Sequence, residues 1–133
     1  MSEHVLEVQT GPDTLAEIQR TLELAWAEDD VPEYTKMCME LAVSEIATNI
    51  IAYSADGKPV RLRMAVDVRR DSVGVTFTDD GHPKPIDLGQ LSMPDEIAES
   101  GRGLALAHRV LDELSYWRDP QGNHWTLHRR RPE

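Results

Sequence analysis

The chain has 133 residues, the size of one ordinary domain, and its 24 acidic residues against 14 basic ones give a formal net charge of −10. Such a charge opposes binding to nucleic-acid phosphates or to an anionic membrane surface, so we expect neither as a partner. Cys38 is the only cysteine, which excludes an internal disulfide and is typical of a cytoplasmic protein. No apolar run approaches the roughly 18 residues of a membrane span, and the N-terminus does not resemble a secretion signal. We therefore expect one cytoplasmic domain over residues 1–133.

The first part of the chain predicts a strand and two helices. Residues 4–10 form a short strand, which Gly-Pro at 11–12 ends, and Asp13 is positioned to cap a helix. That helix carries apolar residues at helical spacing, namely Leu15, Ile18, Leu22 and Ala25. A capping-box pattern at residues 30–33 opens a second helix that runs to about Ser54.

A change of period marks the next two elements as strands. Apolar and polar residues alternate over residues 60–69, and a corner at residues 70–71 leads into a second alternating run. The two runs predict a hairpin with one buried face. The count places Asp79 in register with the core-facing residues of the second run, which are Val73, Val75 and Phe77. A carboxylate at a core-facing position is costly unless a partner satisfies it.

The remainder of the chain predicts a long loop, a helix and a hairpin. Three prolines and a glycine interrupt residues 82–100, and a loop of that length is typically a lid over a site or a disordered segment. A third helix starts at about Arg102 and extends as far as Leu114, and residues 116–118 and 124–129 form a last hairpin. The order predicts an α+β fold, a two-layer sandwich of a mixed, mostly antiparallel sheet with helices on one face.

Glu45 and Asn49 interrupt the apolar middle of the second helix. They are four residues apart, so they share one helix face with their β-carbons about 5–6 Å apart. Together they offer oxygen ligands for a hard cation or a base beside one, and Mg²⁺ suits them best. The alternative is a polar pair on a solvated stripe of a partly exposed helix.

Three further features are candidates for nucleotide contacts. A buried Asp79 accepts a hydrogen bond from an exocyclic amine such as that of adenine, and Gly81 lets a flat ring approach the backbone, although Asp-Gly also ends many strands. The stretch 100–104 places two glycines at the start of a helix, where backbone N–H groups attract phosphate. Thr126 in the last strand is a candidate polar contact, or an ordinary strand threonine.

Taken in order, E45-x-x-x-N49, D79-x-G81, a long loop and G101-R102-G103-L104 resemble the N, G1 and G2 boxes of the GHKL ATPases. That superfamily includes gyrase, a class of heat-shock chaperones, histidine kinases and MutL. The chain looks most like the RsbW/SpoIIAB-type anti-sigma factor serine kinases, because of its length and its sequence motifs VSEIATN and SGRGLAL. The resemblance therefore implies a GHKL-type fold with residues 82–100 as the lid.

The resemblance also implies a role for each matching residue. Asn49 would bind Mg²⁺ that bridges the ATP phosphates, and Glu45 would be the general base for an attacking serine. Asp79 would accept a hydrogen bond from the adenine amine above Gly81. The remaining nucleotide contacts would come from Gly101, Arg102, Gly103, Leu104 and, through water, Thr126.

Three functions follow from these expectations. The first is an ATP-dependent protein-serine kinase that phosphorylates a STAS-domain antagonist and sequesters an RNA polymerase sigma factor, as a homodimer. The second is a non-catalytic switch module that binds partners, with or without ATP, and transfers no phosphate. The third is a kinase or ATPase with other targets. Glu45 favours the first, because a module that only binds has no need of a carboxylate there.

Overall fold

The computed structural model describes residues 2–53, 58–81 and 99–131. Eight elements lie within them, in the order β1 (Ser2–Gln9), α1 (Thr14–Glu28), α2 (Glu33–Tyr53), β2 (Arg61–Val68), β3 (Ser72–Asp79), α3 (Glu99–Val110), β4 (Glu113–Asp119) and β5 (Gly122–Arg130). This is the predicted order of elements. Nearly all of the predicted lid, residues 82–98, lies outside the described residues.

The five strands form one sheet in the order β1-β2-β3-β5-β4, and every neighbouring pair is antiparallel. This confirms the predicted α+β fold with a mostly antiparallel sheet. The central strand is β3, with β2 on one side and β5 on the other. The last residue of β3 therefore has protein on both sides, which is the position that Asp79 occupies.

Alternation along much of the strands gives the sheet one apolar face, and the helices cover that face. Val73, Val75 and Phe77 of β3 are fully buried, and the β5 side chains Trp125 and Leu127 pair with the last two of them. The apolar positions of α1 and α2 complete the core, including Ile18, Leu22, Met39, Val43, Ile46 and Ile50. Burial of this apolar surface is the main force that holds the helical layer against the sheet.

The start of α1 differs from the prediction in its capping. Asp13 lies at the N-cap position but makes no side-chain hydrogen bond to the helix. The turn is closed instead by the Gly11 N–H, which donates to Oγ1 of Thr14 at 2.7 Å. Further along the helix, Nε1 of Trp26 donates to Oε2 of Glu40 at 2.9 Å, and this bond joins α1 to α2.

The region after the loop also differs from the prediction. The third helix starts at Glu99, earlier than the predicted Arg102, and it ends at Val110. Leu114 was expected to continue the apolar face of that helix, but it lies in β4 and pairs with Leu127 of β5. The prediction was wrong because one apolar residue at a helix-compatible spacing does not distinguish the end of a helix from the start of a strand.

None of the helices in the described part of the chain has both the length and the apolar composition of a membrane span.

Candidate functional site

Asp79 lies at the buried end of the central strand. Its side chain is on the apolar face, as the alternation predicted, and the residue is 1% exposed. Oδ1 accepts hydrogen bonds from the Gly81 N–H and from Nδ2 of Asn123, both at 2.9 Å. Oδ2 is buried and has no hydrogen-bond partner among the described residues. An unpaired buried acceptor costs about 1–3 kcal/mol, or more when it is charged, so a ligand N–H at Oδ2 would be stabilising.

Asn123 is the residue of β5 that faces Asp79, and it is fully buried. Besides its bond to Asp79, its Nδ2 donates to the Gly81 carbonyl at 3.3 Å. Its Oδ1 accepts from the Tyr116 hydroxyl and from Nη1 of Arg118, the latter at 3.0 Å. Arg118 Nη1 also donates to the Gly81 carbonyl at 2.9 Å. Asp79, Gly81 and the β4–β5 hairpin therefore form one hydrogen-bonded unit.

Gly122 permits this close approach of β5 to β3. Its φ of +134° lies in a region that side-chain-bearing residues rarely adopt. A Cβ at Gly122 would lie 2.1 Å from the carbonyl oxygen of Asp79. Only glycine at this position lets Asn123 reach the carboxylate without displacing the end of β3.

Open space borders this end of the sheet. A cleft of about 790 Å³ is lined by residues of β1, β2 and β3 and by the turn before β5, among them Arg61, Arg63, Thr78, Asp79 and Gln121. Arg61, Arg63 and Thr78 alternate along their strands with the buried, helix-facing residues, so the cleft opens on the face of the sheet away from the helices and from the Asp79 carboxylate.

Asn49 lies on α2 with its side chain directed into the helical layer, and it is only 5% exposed. Its Nδ2 donates to the Glu45 carbonyl at 3.1 Å, one turn earlier in the same helix. The carboxamide oxygen is therefore the end directed away from the helix backbone, and it is the end that a cation would use. Glu45 is partly exposed, so its carboxylate can be reached from solvent.

The two glycines at 101 and 103 lie within the first turns of α3 rather than before it. Their surroundings, and the side chain of Arg102, lie outside the described residues, as do the predicted contacts of this segment with phosphate. Leu104 is 3% exposed and its side chain belongs to the core, so only its backbone is suited to a polar ligand contact. Since α3 packs on α2, the helix that carries Glu45 and Asn49 neighbours the helix that carries these glycines.

Thr126 is not brought to the Asp79 site. It pairs with Thr76 and Ser115, and it alternates with Trp125 and Leu127, so it lies on the face of the sheet away from the helices. Sequence reasoning chose Thr126 and missed Asn123, although the alternation itself held the signal. Counting back by twos from the apolar pair leads to residue 123 on the Asp79 face.

His124 is held on the same outer face as Thr126. Its Nδ1 lies 3.3 Å from Oγ1 of Thr78, its Nε2 lies 2.8 Å from Oδ1 of Asp119, and its ring stacks on Trp117 at 4.0 Å between centroids. The hydrogen bond from His124 holds the pKa of Asp119 below its usual value. This cluster fixes the β4–β5 turn from the side opposite Asn123.

The candidate residues present acceptor oxygens at two places, on β3 and on α2. Asp79 offers an acceptor oxygen in a dry position, and Asn49 and Glu45 offer oxygens from α2. Within the described residues no group of three or more His, Cys, Asp or Glu side chains gathers as a metal site. A cation held by Asn49 would take its other ligands from phosphate and water, the arrangement that Mg²⁺ favours. Taken singly, Asp79 has the chemistry to accept from an amine, and Asn49 has the chemistry to hold a phosphate-bound cation.

Comparison with known proteins places this geometry in a family. Residues 8–129 match the family described as the histidine kinase-like ATPase domain. No curated protein matches the chain.

Two solved structures resemble the fold. One is the crystal structure of the RsbU and RsbW domains of Rv1364c from Mycobacterium tuberculosis, with a TM-score of 0.70, 17% identity and 99% of this chain covered. The chain covers 33% of that structure's own length. The other is the catalytic domain of the histidine kinase ThkA in a nucleotide-free form, with a TM-score of 0.58, 13% identity, and 100% of both chains covered.

At these identities the two structures establish a shared fold. The family match covers nearly the whole chain, and the family is one of ATPase domains, which implies ATP binding. The chain therefore belongs to the histidine kinase-like ATPase domain family.

Proposed function

We propose that the chain is an ATP-dependent protein-serine kinase that phosphorylates a STAS-domain antagonist and sequesters an RNA polymerase sigma factor in a partner-switching circuit. The observation that carries the nucleotide half is the buried Oδ2 of Asp79, which has no hydrogen-bond partner in the described part of the chain. Adenine presents an amine where this oxygen needs a donor. The resemblance of the fold to the RsbU and RsbW domains of Rv1364c supports the choice of partners.

In this proposal the helix α2 supplies the groups near the phosphates. Asn49 would hold Mg²⁺, which neutralises phosphate charge when bound. Glu45 accepts the proton of the substrate serine hydroxyl as its oxygen attacks the γ-phosphorus of ATP. The bond from that phosphorus to the bridging oxygen breaks, and ADP leaves with the electron pair. Catalysis of this kind depends chiefly on positioning and charge neutralisation, so small displacements of α2 would be costly.

The roles of Gly101, Arg102, Gly103 and Leu104 in contacting phosphate, and of residues 82–100 as the lid of a single domain, remain part of the proposal. The proposal adds Asn123, which donates to Asp79, to the residues that the sequence predicted, among which Thr126 was a water-mediated contact with adenine. The proposal also includes a cytoplasmic homodimer. Light scattering on the purified protein with and without ADP measures the oligomeric state, and a monomer in both conditions contradicts that part.

A partner surface lies on the outer side of the helical layer. Tyr34 and Met37 are 60% and 58% exposed, and Leu41 follows four residues later on the same side of α2. Leu15 of α1 is also exposed, at 45%. Large apolar side chains that share one face of a helix are suited to binding a partner helix, and the net charge of −10 suits a basic partner.

The kinase half is tested by Glu45→Ala, with Glu33→Ala as the matched control on the same helix. Glu33 is exposed in the first turn of α2 and pairs only weakly with Lys36, at 3.3 Å. We expect Glu45→Ala to abolish phosphate transfer to the antagonist while ATP still binds, and Glu33→Ala to retain both. Transfer at the wild-type rate in Glu45→Ala would remove the catalytic role and leave the non-catalytic switch module as the better description.

The partner half is tested by Met37→Lys. A charge in the middle of the exposed apolar face should weaken binding of the sigma factor or antagonist at least tenfold, because it must be desolvated on binding. Nucleotide binding should be unchanged, since Met37 faces solvent. Calorimetric titration measures both affinities. Partner binding as tight as that of the wild type would show that the interface does not include this face of α2.

A further inference from the structure

The carboxamide of Asn123 is held at both ends, which fixes its orientation. Two donors, the Tyr116 hydroxyl and Arg118 Nη1, converge on Oδ1. Two acceptors, Asp79 Oδ1 and the Gly81 carbonyl, face Nδ2. A flipped carboxamide would place its NH₂ group against two donors and its oxygen against two acceptors, and every one of the four bonds would be lost. Tyr116 and Arg118 thus determine which end of Asn123 meets Asp79.

This orientation determines the chemistry that Asp79 offers to a ligand. With Nδ2 of Asn123 and the Gly81 N–H both donating to Oδ1, the carboxylate is held as an acceptor at that oxygen. The second oxygen, Oδ2, then remains as a buried acceptor without a donor among the described residues. A purine with an amine at position 6 supplies a donor to Oδ2. A purine with a carbonyl at position 6 sets two acceptors against each other, and such mismatches in a buried site are strongly disfavoured.

We propose that Asn123, oriented by Tyr116 and Arg118 from the edge strand β4, is the positioning residue that makes the site select 6-amino over 6-oxo purine nucleotides. This inference rests on the proposed nucleotide binding. Without the two donors on Oδ1, the carboxamide is free to turn and present its oxygen to Asp79. An oxygen facing Oδ1 repels it, so the carboxylate turns away from the position in which Oδ2 meets a ligand donor, and the site no longer distinguishes an amine from a carbonyl at position 6. The ratio of the affinities for 6-amino and 6-oxo purines, rather than the affinity for either one, therefore depends on β4.

The test compares the binding of ADP and IDP, which differ at position 6 of the base. Tyr116→Phe removes one hydroxyl, and Arg118→Met removes the guanidinium but keeps much of the side-chain length. Arg130→Met, on an exposed residue at the far end of β5, is the matched control. Calorimetric titration gives the dissociation constants of both nucleotides for each protein, and Arg118→Lys, which retains a donor, is the conservative variant.

We expect the wild type and Arg130→Met to prefer ADP by the same factor. In Tyr116→Phe and Arg118→Met the ratio of the IDP to the ADP dissociation constant should fall about tenfold, the effect of one lost hydrogen bond to a buried polar network. Arg118→Lys should restore part of the ratio. A role that is only structural would weaken both nucleotides equally and leave the ratio unchanged.

Three results would overturn the inference. An unchanged ratio in folded Tyr116→Phe refutes it, and this variant decides the matter if Arg118→Met does not fold. A wild type that binds ADP and IDP equally refutes it while the proposed function stands. A wild type that binds neither nucleotide refutes the proposed function, and the inference is then rejected with it.

Discussion

The close contact between Gly122 and Asp79 allows a sharp prediction for Gly122→Ala. The φ of Gly122 is +134°, and a Cβ there would lie 2.1 Å from the Asp79 carbonyl oxygen and 3.0 Å from its carbonyl carbon. These neighbours are backbone atoms of the central strand, so no side-chain rotation relieves the overlap. Backbone strain of about 1–3 kcal/mol and overpacking of about 1–3 kcal/mol together predict a loss of about 2–6 kcal/mol in the free energy of unfolding.

The chain contains its own control for this substitution. Gly74 also lies in β3, but a Cβ there would be 3.8 Å from the Leu127 carbonyl oxygen, an ordinary contact. Gly74→Ala should therefore change the free energy of unfolding by no more than about 1 kcal/mol, because alanine also reduces the entropy of the unfolded chain. The comparison isolates backbone conformation and overlap from the mere addition of a methyl group.

Urea unfolding monitored by tryptophan fluorescence measures both variants against the wild type. A loss of 2–6 kcal/mol is a large part of the roughly 5–15 kcal/mol that stabilises a domain, so Gly122→Ala should unfold at much lower urea. It should also bind ADP more weakly than its folded fraction accounts for, since displacing β5 separates Asn123 from Asp79. Similar unfolding midpoints for Gly122→Ala and Gly74→Ala would refute the reasoning.

Two other substitutions test the electrostatics of the sheet. Asp79→Asn should weaken ADP binding at least tenfold in calorimetric titration, because an amide at this position pairs less well with the amine of the base. The neighbouring substitution Asp80→Asn is the control. Equal affinities of Asp79→Asn and the wild type for ADP would show that Asp79 does not contact the base. The hydrogen bond from His124 lowers the pKa of Asp119 in the folded protein. The stability that Asp119 contributes is therefore present above its unfolded pKa of about 3.9. That stability is lost as the pH falls through the lower pKa of the folded protein. His124→Asn should make urea stability fall less steeply below about pH 4, and identical acid profiles would contradict this.

The strand alternation was the most reliable guide, because a period of two leaves no freedom in which face a side chain occupies. It predicts Asp79 on the apolar face, and the structure confirms that position. The same rule would have excluded Thr126 from that face had it been applied to β5, since Trp125 and Leu127 are plainly apolar. The position of a threonine between two large apolar residues is a less reliable indication of a ligand contact.

Alternation places Asn123 on the same face as Asp79, but the contact between the two side chains could not be predicted from the sequence. Asn123 is 44 residues away along the chain, and its contact depends on the register between β3 and β5. That register is set by the close approach at Gly122, which is visible only in three dimensions. Tyr116 and Arg118 resemble ordinary hairpin residues in the sequence, because the residues around them do not indicate that their side chains orient the Asn123 carboxamide.

The strand order also bears on how the chain is made. The central strand β3 pairs with β2 as soon as both have left the ribosome, but its other neighbour, β5, is synthesised last among the described strands. A nascent chain that ends near Val110 therefore presents β3 as an exposed edge, and its apolar residues invite pairing with other chains. Because Asp79 and Gly81 acquire their partners on β4 and β5 only when that hairpin docks, competence to bind a nucleotide would arise in the final step of folding and not before.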